Sequence, residues 1–482
     1  MLTQSKAAQG PRVAWSRAVT LLPATGRAAV MMLACGVVLG CAPAIETTRP
    51  GFMFANGWQT PIKAAPRLMD DRTWWRGFQD QTLDAMILRA LHASPDLNAA
   101  RLRALAARQE TAAIQGATTL ATGASARASE GRLRSEDRVI GGSGELGILF
   151  DPGRGRQAER FGAAAAAALA EAEQSGARLF LIGEISTAYL QLRHSQQRLI
   201  LAQQEASRQR QMLSLARRLV TEGEGTRIDV LRSEARLAAL EAERRELEGL
   251  VDTGILRLTV LAGDAPGQLP PDLMAGLRRV AAQPRSTLAP DPLLPADLIR
   301  NRPDLRVEEA RYDAARAALG AARAALYPSL SLTGTIDARE VRFRGTETRG
   351  AVSSLGPTLR LPVLPLRASR AAVDAAESRV EAAHESWTGA VLTALFEVET
   401  ALLDYSKAAQ NEAAIDRAVA LQAQARRLSN AAVREGAATL WDLNILDGDL
   451  ARAEIQQADA RLARAQSFVD LNIRLGMGAQ PD

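Results

Sequence analysis

Histidine, cysteine and serine are the side chains that most often carry out chemistry, and this chain gives them little to work with. Its three histidines, His92, His194 and His384, are widely separated, with no His-x-x-x-His spacing and no neighbouring cysteine. Such a scatter supplies neither a metal ligand set nor an acid–base pair, and no metal site is expected. No G-x-x-x-x-G-K-[ST] loop is present to cradle a nucleotide phosphate. Gly141-Gly142-Ser143-Gly144 is followed by Glu145, so it lacks the last glycine of a nucleophile elbow. These residues point away from an enzyme, and the remaining candidates are positions that anchor, contact or line.

Cys41 is the first of them. Residues 1–40 carry Lys6, Arg12, Arg17 and Arg27 and no acidic residue, and Ala28–Leu39 is apolar over a length too short to span a bilayer. The stretch closes on Val38-Leu39-Gly40-Cys41, which resembles the lipobox of bacterial lipoproteins. That likeness implies removal of a signal peptide, residues 1–40, and a covalent lipid on Cys41 in place of any other cofactor. Ala42, where an inner-membrane lipoprotein usually carries Asp, implies an address in the outer membrane. A plain signal peptide with an incidental cysteine is the alternative. Cys35 leaves with the peptide, so no disulfide is expected. The net charge of +5 is also largely the peptide's, since the rest holds 55 basic and 54 acidic side chains. A near-neutral chain gives no reason to expect nucleic-acid binding.

The elements that position the rest are written twice. With a constant offset of 213, Ala188–Gly263 overlays Ala401–Gly476 without a gap. Glu222-Gly223 meets Glu435-Gly436, Thr226 meets Thr439, and Asp229 meets Asp442. Upstream the offset is 208, pairing Pro95-Asp96-Leu97 with Pro303-Asp304-Leu305. Two copies of one unit follow: residues 41–263 hold the N-terminal segment and first repeat, 264–297 link them, and 298–482 hold the second repeat and C-terminal end.

Each copy reads as helix, two strands, a very long helix, a tight break and a returning helix. From Arg156 to Val220 there is no proline, which predicts a helix of about 95 Å at 1.5 Å per residue. Ile182, Ile185, Tyr189 and Leu192 form a heptad seam on it, as do Val391, Leu395, Val398, Leu402 and Tyr405 in the second copy. Ala163–Ala168 favours close helix packing, and a chain 47% apolar and 23% charged is not a bundle of apolar membrane helices. In the second copy, Ser329–Arg339 and Leu355–Leu361 alternate with period two, around a charged tip at Glu340–Gly350. The first copy offers Leu120–Ser129 and Val139–Phe150 around a charged loop at Glu130–Arg138. Four strands cannot close a transmembrane barrel, because an open edge in hydrocarbon leaves backbone groups unpaired. If the strands enter a membrane, the chain has to assemble with copies of itself.

Across the mature chain, the sequence resembles the TolC-like outer-membrane efflux channels, in the lipoprotein branch typified by OprM and NodT. The marks are Leu294–Leu305, the helix ending Tyr327-Pro328-Ser329-Leu330, the segment Leu392–Glu399, and Trp74-Trp75 with Phe78 and Leu83-Asp84. Pro362-Val363-Leu364-Pro365 departs from the family's turn into the long helix, although Phe150-Asp151-Pro152-Gly153-Arg154 keeps a trace of it. The resemblance implies a mainly α protein with a transmembrane β part. It further implies a homotrimer sharing a twelve-stranded barrel in outer-membrane lipid and a long periplasmic helical barrel. Gly223, Thr226, Gly436 and Thr439, at the two breaks, would contact a periplasmic adaptor of an inner-membrane pump of the resistance–nodulation–division kind. Small molecules would pass outward. A type I protein-secretion channel and a non-conducting scaffold remain alternatives. Asp442 maps to one acidic residue of the family's periplasmic aperture, while Ile445 stands at its usual partner's place. Asp442 could equally stabilise the N-terminus of the returning helix, where a negative charge is favourable.

Overall fold

The computed structural model describes residues 51–60, 71–116, 129–131, 138–148, 154–286, 295–343, 346–360, 366–435, 437 and 440–480. A 3-10 segment, Asp71–Phe78, leads into α1 (Gln81–Ala93) and α2 (Pro95–Gly116). Strands β1 (Ser129–Gly131) and β2 (Arg138–Ile148) follow, then α3 (Arg154–Thr221), α4 (Arg227–Leu261) and the short α5 (Pro271–Arg278). The second series is α6 (Leu298–Asn301), α7 (Pro303–Ala324), β3 (Ser329–Phe343), β4 (Thr346–Arg360), α8 (Leu366–Arg434) and α9 (Leu440–Arg474). The long helices α3 and α8 have 68 and 69 residues, and α4 and α9 have 35 each. The molecule is mainly helical, and helix α3 alone measures about 100 Å at 1.5 Å per residue.

Contacts divide the chain into two units, with boundaries that fall inside α2, α3, α7 and α8. The first unit holds the strands and the helix ends flanking them. Its sheet is antiparallel throughout, in the order β1-β2-β3-β4. Pro357 lies in β4 opposite Leu332. Among the described residues β4 is an edge strand, the place in a sheet where proline is found. Beside the sheet, the Arg316 guanidinium lies 5.8 Å from the centre of the Phe161 ring, and Arg323 pairs with Glu377 at 2.7 Å.

Two expected loop boundaries are corrected here. The charged segment Glu340–Gly350 is not a loop: the β3–β4 ladder runs on to Phe343 opposite Thr346. Its register sets Arg342 opposite Glu347 and Glu340 opposite Arg349, so the ladder extends through a segment whose composition alone suggests a loop. Likewise Glu130, Gly131 and Arg138 belong to β1 and β2. The strand expected at Leu120–Ser129 falls outside the described residues except at Ser129.

The second unit is built on the helix seams. Ile182, Ile185, Tyr189 and Leu192 of α3 are buried, as are Val391, Val398, Leu402 and Tyr405 of α8. Leu395 is only partly covered, and Ala394 takes the buried place beside it. The few aromatics cluster: Phe468 meets Trp74, Phe78 and Tyr405 with ring centres 5.4 to 6.2 Å apart. Gly263 and Gly476, equivalent in the repeat, both adopt positive φ. A Cβ on Gly263 would strike the Ala93 carbonyl, and one on Gly476 the Asn301 carbonyl. Ala93 and Asn301 are themselves related by the 208 offset.

Candidate functional site

At the first break, α3 unwinds through a left-handed glycine. Gly223 has φ of +80°, a conformation L side chains avoid. The amides of Glu224 and Gly225 both donate to the Leu219 carbonyl, which closes the helix end. Thr226 then caps α4: its Oγ1 accepts from the Asp229 amide at 3.3 Å and donates to the Asp229 carboxylate at 2.6 Å. The cap satisfies an N–H that the first turn would otherwise leave open. Gly223 and Thr226 are exposed at this tip, together with Ile228 and Leu231.

The second tip is described in part. Gly436 and Thr439 lie outside the described residues, as does Cys41. Asp442 is exposed in the first turn of α9. Its repeat counterpart is Asp229, whose carboxylate accepts the hydroxyl of the capping Thr226. Asp447 pairs with Arg426 of α8, so it is held inside the second hairpin. Ile445 helps line a cavity of about 500 Å³ with Met212, Leu215 and Leu219 of α3 and Arg232 and Arg236 of α4. The cavity brings the N-terminal part of α9 to the first tip. Sequence reasoning missed it, because its walls come from three helices whose mutual placement no local pattern reveals.

Two buried arginines were missed as well. Arg193 is fully buried in α3, where it donates to the Tyr189 hydroxyl, Gln196 and the carbonyls of Gly276 and Arg279. Tyr189 in turn donates to Asp80 at 2.6 Å, and burial pushes its phenol well above the ordinary range. Arg302 lies in the marker segment and pairs with Asp304 and Glu397 at 2.7 Å each, while donating to the Arg474 carbonyl at 2.9 Å. Burial works against ionised Glu397, but hydrogen bonds from Arg302 and Arg474 outweigh it and hold the carboxyl below its usual range. Arg193 spends its donors on neutral acceptors and Arg302 on two carboxylates and a carbonyl, and both guanidiniums are buried, which is the arrangement of a structural clamp. Among the described residues, no group of His, Cys, Asp and Glu is placed to hold a metal, and no helix is long and apolar enough to cross a membrane.

The outer membrane efflux protein family model matches residues 86–264 and again 294–477. The chain belongs to this family. Nodulation protein T of Rhizobium leguminosarum bv. trifolii is 30% identical over 85% of this chain and 88% of its own length. Outer membrane protein OprJ of Pseudomonas aeruginosa is 27% identical over 95% and 96%. Among solved structures, the outer-membrane channel OprN superposes with a TM-score of 0.76 at 29% identity, covering 92% of this chain and 100% of that one. Outer-membrane efflux channels are not enzymes, and the family's place is the outer membrane. The helical architecture agrees with theirs.

Proposed function

We propose that this protein is the outer-membrane channel of a tripartite efflux system, a passive conduit for small molecules delivered by an inner-membrane pump through a periplasmic adaptor. The observation that carries the reading is the four-stranded sheet, in which β1 and β4 are open edges among the described residues. Hydrocarbon cannot satisfy those edges, and bacterial barrels start at about eight strands. Three copies supply twelve strands and close the ring, giving a homotrimer with a helical barrel continuing into the periplasm. Cys41 carries lipid after removal of residues 1–40, adding an anchor to the barrel's own insertion.

Gly223, Thr226, Gly436 and Thr439 form the adaptor-contacting tips, a role the exposure of the first tip supports. Asp442 lines the periplasmic aperture as one carboxylate per chain, with Ile445 leaving the ring less acidic than a paired arrangement. The support that Asp229 gives the capping Thr226 in the first copy defines the competing role, so Asp442→Ala separates the two. A lumen role predicts weaker cation selectivity and higher resting conductance in planar bilayers, with the trimer intact. Unchanged currents with a lowered melting temperature would assign Asp442 to the helix cap. For the channel itself, mass photometry in detergent should find a three-chain particle, and a pore-forming single chain would overturn the assembly. Cys41→Ser should abolish lipid labelling.

A further inference from the structure

Inside one chain, α3 of the first copy packs against α9 of the second. Gly183 sits against Ile473. One helical stretch further along, His194 Nε2 lies 2.7 Å from Asp459 Oδ1, with Arg198 at 3.6 Å from the same carboxylate. Leu179 and Leu190 of α3 and Val469 of α9 are buried.

The 213 offset converts this contact into a second one that the single chain does not make. Gly183 becomes Phe396 and Ile473 becomes Val260, while His194 becomes Lys407 and Asp459 becomes Glu246. Phe396 is 71% exposed and Val260 59% exposed. Leu392, Leu403 and Leu256, the counterparts of the three buried residues, are exposed too. Lys407 and Glu246 are exposed and make no ion pair with another described residue. The substitutions are complementary: glycine against isoleucine in one setting, phenylalanine against valine in the other. A cation again faces an acid. Large apolar residues in stripes of this kind mark a surface that is covered in the assembled protein.

We infer that α4 of one protomer packs against α8 of the next, Val260 against Phe396 and Glu246 paired with Lys407, copying the contact of α9 with α3 inside each chain. The occupant of both faces is a second copy, because each chain offers one α4 face and one α8 face. Such a head-to-tail interface closes into a ring when its rotation completes a turn, which the three-chain assembly requires. The inference rests on the trimeric channel proposed above and adds the residues that join its protomers.

Val260→Cys with Phe396→Cys, in the full-length chain oxidised with copper phenanthroline in membranes, should give disulfide-linked species of two and three chains. Each single variant should remain a monomer on a denaturing gel. Separately, Lys407→Glu should lower the temperature at which the assembly dissociates in detergent, and adding Glu246→Lys should restore it. Absence of linked chains in protein that still conducts ions would overturn the interface and leave the channel standing. Linked chains without conductance would support the interface and count against the channel. Failure of Glu246→Lys to restore Lys407→Glu would refute the ion pair even if the apolar contact cross-links.

Discussion

The two sequence copies form long and returning helices of matching length, 68 and 69 residues and then 35 each, but place their buried charges differently. Arg193, the anchor of the first copy, corresponds to Ser406 in the second, and Arg302, the anchor of the second, corresponds to Ser94 in the first. Each arginine reaches across to segments the other copy lacks or spends elsewhere. Arg193 ties α3 to the carbonyls of α5 and the residue after it, in the linking segment that has no duplicate. Arg302 ties the start of α7 to the end of α9 and to Glu397 of α8. A glycine contact such as Gly263 on Ala93 recurs as Gly476 on Asn301, since it depends on backbone alone. The backbone-dependent glycine contact is thus common to both halves, while the charged clamps differ where the surroundings of the halves differ.

Removing either clamp gives the largest expected effect. Arg302→Ala leaves Glu397 without one of its two cationic partners and frees the Arg474 carbonyl; the acids left behind reach solvent, so the loss is that of hydrogen bonds to a charged group, about 1.5–3 kcal/mol each. Arg193→Ala strands two carbonyls and a phenol, a loss of similar order, since each hydrogen bond to a charged group is worth roughly 1.5–3 kcal/mol. Chemical denaturation of the detergent-solubilised protein should register both, with Ser94→Ala and Ser406→Ala far milder. A swap sharpens the comparison: Arg193→Ser with Ser406→Arg should not recover stability, because the second copy has no counterpart of α5 to receive the guanidinium.

Next come the shared glycines. Gly263→Ala and Gly476→Ala each force a side chain into positive φ and into a carbonyl, and should cost about 1–3 kcal/mol apiece. Equal losses would mark the contact as common to both copies, and a tolerated alanine on one side would break that equivalence. Thr226→Ala removes one cap and should cost about 1 kcal/mol, read as reduced protection of the first turns of α4 in hydrogen exchange.

Acid supplies the smallest effect. Glu397 has a folded-state pKa below its unfolded value, so its contribution is fully present above the ordinary glutamate range near 4.3 and is lost as pH falls through the lower folded value. A melting-temperature decline below about pH 4 should shrink in Glu397→Gln. No change between the two proteins would show that the clamp is not what titrates.

Much of this was legible beforehand for definite reasons. An uninterrupted stretch without proline fixed α3, and buried residues three and four apart along Ile182, Ile185 and Tyr189 fixed its inward face. Glycine followed by threonine marked the first tip, because the turn needs positive φ and the next helix needs a cap. The strand ends were misplaced, since charge composition suggested loops at Glu340–Gly350 while cross-strand pairing decided otherwise. Arg193 reads locally as one more polar residue of a long helix. Its burial depends on carbonyls more than eighty residues away, which periodicity does not report.

The most direct test of the channel is the conductance of the purified full-length protein in planar bilayers. Insertion of three-chain particles should produce stable current steps of uniform size, cation-selective, with a higher resting level in Asp442→Ala. Intact three-chain particles that incorporate into the bilayer and pass no current would contradict the channel and favour a scaffold between the outer membrane and the periplasm.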